Sequence, residues 1–156
     1  MSSLTTAQRR RQRPSLASRR LGYTVGLVVN AGLLFAINEW PGWTAVPFLT
    51  GDTPRVLGLV NASIVVGLVA NALYVMSDPP WFKALGDITQ NVVGIAALVR
   101  IWQVFPFDFG DSSFDWDLLA RWVIGVGMAG SGIGVLVGLM ALARASEAPR
   151  PQPPQG

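Results

Sequence analysis

The sequence has 156 residues, of which 51% are hydrophobic and only 13% are charged, and its formal net charge is +3. Ordinary soluble domains carry roughly 25% charged residues, so this composition favours a single-domain membrane protein. The chain has no cysteine and no histidine, which excludes disulfides, thiol redox chemistry, zinc sites built from Cys and His, and His-ligated haem.

Four long apolar runs follow one another along the chain, and an α-helix needs about 20 such residues to cross a bilayer. They predict helices at about 21–38, 54–76, 87–105 and 115–143. A soluble four-helix bundle would show a charged face on each helix, and none of these segments has one. We therefore predict an all-α integral membrane protein, a bundle of four transmembrane helices over residues 21–143. A basic tail, 1–20, that we expect to be disordered or to lie on the membrane surface precedes it, and a proline-rich tail, 144–156, follows it.

Positive charge is distributed unevenly along the chain. Nine of the twelve Lys and Arg residues lie in the two tails and in the short loop after the second helix. Basic residues are enriched on the cytoplasmic side, so both termini are predicted inside (N-in, C-in), and nucleic acid is not expected as a partner. The basic tail either serves only this orientation or also binds anionic lipid headgroups. The Ala-, Gly-, Val- and Arg-rich composition is typical of a high-GC bacterial genome, which predicts a bacterial inner membrane.

Several asparagines lie inside the predicted spans. Asparagine in hydrocarbon usually finds a partner on another helix, so the simpler interpretation is helix packing. The alternative is that they bind a substrate or an ion. The residues are Asn30, Asn61, Asn71 and Asn91.

Arg100 lies inside the third apolar run, where a lone cation is costly. At 1.5 Å per residue it is about 10 Å from the end of that run. Glu39, Asp117 and Arg121 are predicted near neighbouring helix ends on the same side. We expect these four residues to form an ion-pair cluster that pins the helix ends. The alternatives are an anion or lipid-headgroup site built on the two arginines, and an Arg100 that reaches the interface without a partner.

Two further motifs stand out in the second half of the chain. Gly130, Gly134 and Gly138 form a ridge of small residues in the fourth helix, which is typical of helix packing or of dimerisation. Residues 106–117 carry four aspartates between aromatic residues. Their spacing does not match the EF-hand pattern, so we predict an interfacial loop that caps the fourth helix with Ser113 or Asp115.

No set of residues matches nucleophilic, metal-dependent or phosphate-loop catalysis, so we expect no enzyme, no metal and no cofactor. The leading interpretation is a non-enzymatic accessory or scaffold subunit in the bilayer, packed against copies of itself or against a larger membrane complex. The alternative is a small oligomeric channel or transporter. It would use Asn30, Asn61, Asn71, Asn91 and Arg100. The polar sector of the third helix, formed by Asp87, Gln90, Asn91 and Gly94, lies toward the inner half of the membrane, and the Arg100 cluster does not explain it.

Overall fold

The computed structural model describes residues 14–146, which form four long α-helices in chain order. The helices are α1 (Leu16–Asn38), α2 (Pro54–Met76), α3 (Pro80–Val104) and α4 (Trp116–Ser146), with a short 3-10 turn at Trp43–Ala45. All four are long and apolar enough to span a membrane. The prediction of an all-helical chain with four helices that could each span a membrane is confirmed.

Two helices begin earlier than the apolar runs that predicted them. α1 begins at Leu16 rather than residue 21, because the Ser15 side chain accepts a hydrogen bond of 3.2 Å from the Ser18 N–H and caps the helix. Part of the predicted basic tail is therefore helical, and residues 1–13 lie outside the described range. α3 begins at Pro80 rather than residue 87, because proline suits the first position of a helix. The predicted ten-residue turn shortens to 77–79.

The other two helices lie closer to their predicted bounds. α2 has the predicted bounds, 54–76. α4 extends to Ser146, three residues into the predicted proline-rich tail, and residues 147–156 lie outside the described range. The length of an apolar run reflects the thickness of the hydrocarbon layer. A helix can continue beyond that layer, into the interface, wherever its backbone N–H and C=O groups remain hydrogen-bonded.

The helices pack in the order of the chain. α1 contacts α2, α2 contacts α3 and α3 contacts α4, and within residues 14–146 α1 and α4 do not contact each other. The four helices therefore form an open row with α1 and α4 at its two edges. α1 has no buried residue, and α4 buries only Ile124 and Gly138. The uncovered faces are apolar, which suits lipid tails as the surrounding solvent.

The two ends of the row differ. One end, here the loop end, carries residues 39–53 and 105–115, and the other, the termini end, carries the start of α1, the turn 77–79 and the end of α4. At the loop end the two loops pair: the Asp108 N–H donates to the Phe48 carbonyl at 2.9 Å, and the Thr50 N–H donates to the Pro106 carbonyl at 3.1 Å. Pro106 is fully buried there. These bonds join the α1–α2 hairpin to the α3–α4 hairpin.

Candidate functional site

α1 and α2 are joined by two reciprocal asparagine–glycine contacts. A Cβ atom at Gly26 would lie 2.7 Å from Asn71 Oδ1, and one at Gly67 would lie 3.0 Å from Asn30 Oδ1. Each amide also donates a 2.7 Å hydrogen bond to the carbonyl four residues earlier, Asn30 to Gly26 and Asn71 to Gly67. The Gly-x-x-x-Asn spacing occurs in both helices, so antiparallel packing places each asparagine over the glycine of the other helix.

The other two predicted asparagines also make contacts within the chain. Asn38 and Asn61 exchange amide hydrogen bonds of 3.0 and 2.7 Å between α1 and α2. Asn91 donates to the Asp87 carbonyl at 2.7 Å, and its side chain covers Gly134 of α4. The predicted asparagines therefore lie at two separate helix seams rather than along one line.

The four residues of the predicted ion-pair cluster are not brought together. Arg100 Nε donates to the Arg55 backbone carbonyl at 3.3 Å, while Arg121 lies over the Phe105 ring, 4.1 Å from its centroid. Within residues 14–146 the ion pairs involve other side chains. The open row explains this, because Glu39 ends α1 and Asp117 begins α4, at opposite edges of the molecule.

The glycine ridge of α4 divides between two surroundings. Gly134 and Gly138 face Asn91 and Ile88 of α3, whereas a Cβ atom at Gly130 would have no neighbour within 4 Å. Two of the three predicted packing glycines thus belong to the α3–α4 seam, and Gly130 lies on an open face. In the loop before α4, Asp115 Oδ1 accepts a 2.9 Å hydrogen bond from the Leu118 N–H, which is the capping role predicted for that residue.

Sequence reasoning missed an ion pair at the termini end. Arg19 Nε lies 3.0 Å from Asp78 Oδ2, with the two side chains only 14% and 15% exposed. The Tyr23 hydroxyl donates to the same carboxylate at 3.0 Å. The sequence does contain a signal for this contact, because Asp78 lies in the turn after α2 and basic residues directly precede the first apolar run. Placing Arg19 in the basic tail hides the contact between α1 and the α2–α3 turn.

A buried tyrosine continues this network to α3. The Tyr74 hydroxyl lies 3.0 Å from the Lys83 carbonyl and 3.3 Å from Asp87 Oδ1, and Lys83 Nζ lies 2.5 Å from Asp87 Oδ2. Tyr74 is 5% exposed. A Cβ atom at Gly86 would overlap its hydroxyl, so the glycine provides the space for the tyrosine. Part of the polar side of α3 therefore anchors α2.

The polar side of α3 also lines a cavity of about 500 Å³ between α3 and α4. The polar wall consists of Lys83, Asp87, Gln90 and Asn91, and the opposite wall includes Gly134, Val137 and Ala141. Within residues 14–146 no group of three His, Cys, Asp or Glu side chains is placed to hold a metal ion. The cavity therefore offers hydrogen bonds and one paired charge.

A second groove, of about 460 Å³, lies near the loop end on the surface of α3 and α4. Trp102 of α3 forms one side, and Arg121 of α4 is part of the lining. The rest of its lining comes from one face of α4, at Leu118, Trp122, Gly125, Val126, Met128 and Ala129.

Comparison of the chain with protein-family models, with curated proteins and with solved structures gave no match. The function is therefore argued from the geometry of the chain itself.

Proposed function

We propose that the protein is a non-enzymatic accessory or scaffold subunit of a bacterial inner membrane, with both termini in the cytoplasm. The observation that carries this proposal is that the intramembrane asparagines take part in contacts within the chain, while both edges of the helix row stay apolar and uncovered.

The amide contacts support a structural role for the polar residues in the spans. Asn30 and Asn71 each bond to their own helix and cover a glycine of the neighbouring one, and Asn38 and Asn61 satisfy each other. Without water, an amide that lacks a partner costs several kcal/mol. Amides satisfied in this way hold helices together and contribute little to an aqueous path.

The uncovered edges support an assembly role. Among the four described α-helices, α1 packs on α2 alone and α4 on α3 alone, and α4 presents Val123 and Ile133 with more than half of their surface exposed. Gly130 lies on the same side of α4 as these residues, without a neighbour within 4 Å of an added Cβ. Small residues allow a second helix to approach closely in a membrane, so this face suits either a second copy or a larger complex.

The orientation follows from charge. The termini end holds the ion-paired Arg19, together with Lys83 and Arg144, whereas the loop end holds the acidic segment 106–117. By the positive-inside rule the termini end faces the cytoplasm.

Purification in mild detergent followed by mass measurement tests the proposal. We expect the protein to elute in a complex of defined ratio, and Gly130→Leu to dissociate it because it places a large side chain on the open face. Gly94→Leu, on another helix and equally without near neighbours, is the matched control and should leave the complex intact. A monomer with every variant would contradict the proposal.

The alternative, a small oligomeric channel or transporter, is favoured by the polar cavity beside Asn91. It predicts solute or ion flux in liposomes that contain the purified protein. Loss of that flux in Asn30→Ala or Arg100→Ala would replace the scaffold proposal, whereas no flux above empty liposomes supports it.

A further inference from the structure

We propose that the groove beneath Arg121 binds one phospholipid with a zwitterionic headgroup of the phosphatidylethanolamine type, in the leaflet at the loop end. This site requires only that the helices span a membrane, and it is independent of the scaffold role.

Arg121 is positioned as a phosphate ligand. Its guanidinium lies 4.1 Å from the centroid of the Phe105 ring and 5.3 Å from that of the Trp102 ring. Phe105 ends α3 in the left-handed conformation, with φ 45°, which is how its ring comes to lie beside the next helix. In the described part of the chain Arg121 has no carboxylate or carbonyl partner. Aromatic rings hold a guanidinium in place without using its N–H groups, and two of those can bind a phosphate in a bidentate manner.

The groove continues from Arg121 towards the middle of the membrane. From Arg121 its α4 wall extends to Ala129, about 12 Å at 1.5 Å per residue. This length is most of the roughly 15 Å of hydrocarbon in one leaflet, and so it accommodates most of an acyl chain of that leaflet. Gly125 forms part of this wall and has no atom within 4 Å of an added Cβ, which leaves the groove open at its centre.

The charge on the other side of Arg121 selects the headgroup. Asp117 lies four residues before Arg121 on α4, about 6 Å nearer to the water at 1.5 Å per residue. Its side chain is exposed, and it is in no ion pair within residues 14–146. The adjoining loop adds Asp108, Asp111 and Asp115. Such a surface repels a headgroup that is only negative and attracts a primary ammonium. Along α4 the order is thus acyl chain, phosphate and ammonium.

Native mass spectrometry of the delipidated full-length protein in detergent tests the site. The probes are phosphatidylethanolamine, phosphatidylglycerol and phosphatidylcholine with the same acyl chains. We expect phosphatidylethanolamine to bind most tightly and Arg121→Gln to weaken it about 10-fold, the effect of losing one charge-assisted hydrogen bond. Arg55→Gln removes an exposed arginine at the same end and should leave binding unchanged.

Two further variants separate the headgroup from the groove. Asp117→Asn should weaken phosphatidylethanolamine but not phosphatidylglycerol, because only the former loses an ion pair. Gly125→Leu should weaken every lipid by filling the groove, whereas Gly58→Leu, exposed on α2 outside the groove and equally without near neighbours, should weaken none.

Circular dichroism of each variant shows whether the helices are retained. If Arg121→Gln loses helix, the comparison of Gly125→Leu with Gly58→Leu still decides the question. Equal binding of the three lipids by the wild type, or equal binding of phosphatidylethanolamine by the paired variants, would show only non-specific lipid contact and overturn the proposal.

Discussion

Single polar residues in this protein act through the small neighbours that they cover. Asn71 covers Gly26, and the Tyr74 hydroxyl occupies the space beside Gly86. Helices in lipid gain little from the hydrophobic effect, so close packing and satisfied polar groups decide their association. A glycine beneath a polar side chain therefore matters more than a glycine on a lipid-facing surface.

The space beside Gly86 gives a prediction within one helix. Gly86→Ala should destabilise the protein by about 1–3 kcal/mol, the usual cost of overpacking, because the new Cβ meets a buried and hydrogen-bonded tyrosine. Gly94→Ala, also in α3, meets no atom within 4 Å and should be neutral or up to about 1 kcal/mol more stable, since alanine favours helix. Unfolding by SDS in mixed micelles, followed by tryptophan fluorescence, measures both. Equal effects of the two changes would contradict the described fit of Tyr74.

The Asn38–Asn61 pair gives a second prediction at this scale. A double-mutant cycle with Asn38→Ala and Asn61→Ala should give a favourable coupling energy of about 0.6–1.7 kcal/mol, the range found for hydrogen bonds between membrane helices. The physical reason is that the two amides exchange both of their hydrogen bonds. The same unfolding assay gives the four free energies, and additive single effects would show that the pair does not form.

At the scale of the helices, the α3–α4 seam depends on which α4 glycines face α3. A Cβ atom at Gly134 would lie 2.6 Å from Asn91 Oδ1, and one at Gly138 would lie 2.5 Å from Ile88 Cγ1. Gly130 faces no atom within 4 Å. The helical repeat of small residues identified the helix that packs closely, but not which of its glycines make the contact.

The different surroundings of Gly130 and Gly134 predict different effects of the same substitution on stability. Gly134→Ala should cost about 1–3 kcal/mol, because Asn91 must move or lose its hydrogen bond to Asp87. Gly130→Ala should be close to neutral in the monomer. Thermal unfolding in the same detergent compares them. A greater loss for Gly130→Ala than for Gly134→Ala would show that α4 is rotated from the described orientation.

The helices themselves were predictable from the sequence, and their contacts were not. The sequence has four long apolar runs without a charged face, and this pattern predicts four membrane-spanning helices. The starts of α1 and α3 were predicted too late, since Ser15 and Pro80 begin helices in the interface, where apolarity gives no signal. The predicted cluster of Arg100, Arg121, Glu39 and Asp117 requires all four helix ends to meet. In an open row, α1 and α4 stay apart, and no local pattern in the sequence indicates this.

At the scale of the whole molecule, two sets of contacts, one at each end, hold the four helices of the open row together. At the loop end, the bonds between residues 48–50 and 106–108 join the two hairpins. At the termini end, Arg19, Tyr23 and Asp78 tie α1 to the α2–α3 turn, and Tyr74 ties α2 to α3. The start of α1, the turn 77–79 and the end of α4 lie at the opposite end of the four helices from the loops 39–53 and 105–115, so we propose that the two ends lie on opposite sides of the membrane.

The most direct test of this account is the side from which each end can be labelled. The natural chain has no cysteine, so single cysteines report without background. Ser113→Cys, exposed at the loop end, and Ser77→Cys, exposed at the termini end, are treated with a membrane-impermeant maleimide in intact bacterial spheroplasts and again after permeabilisation. We predict that Ser113→Cys reacts in intact spheroplasts and that Ser77→Cys reacts only after permeabilisation. Labelling of both from the same side would contradict the four-span arrangement.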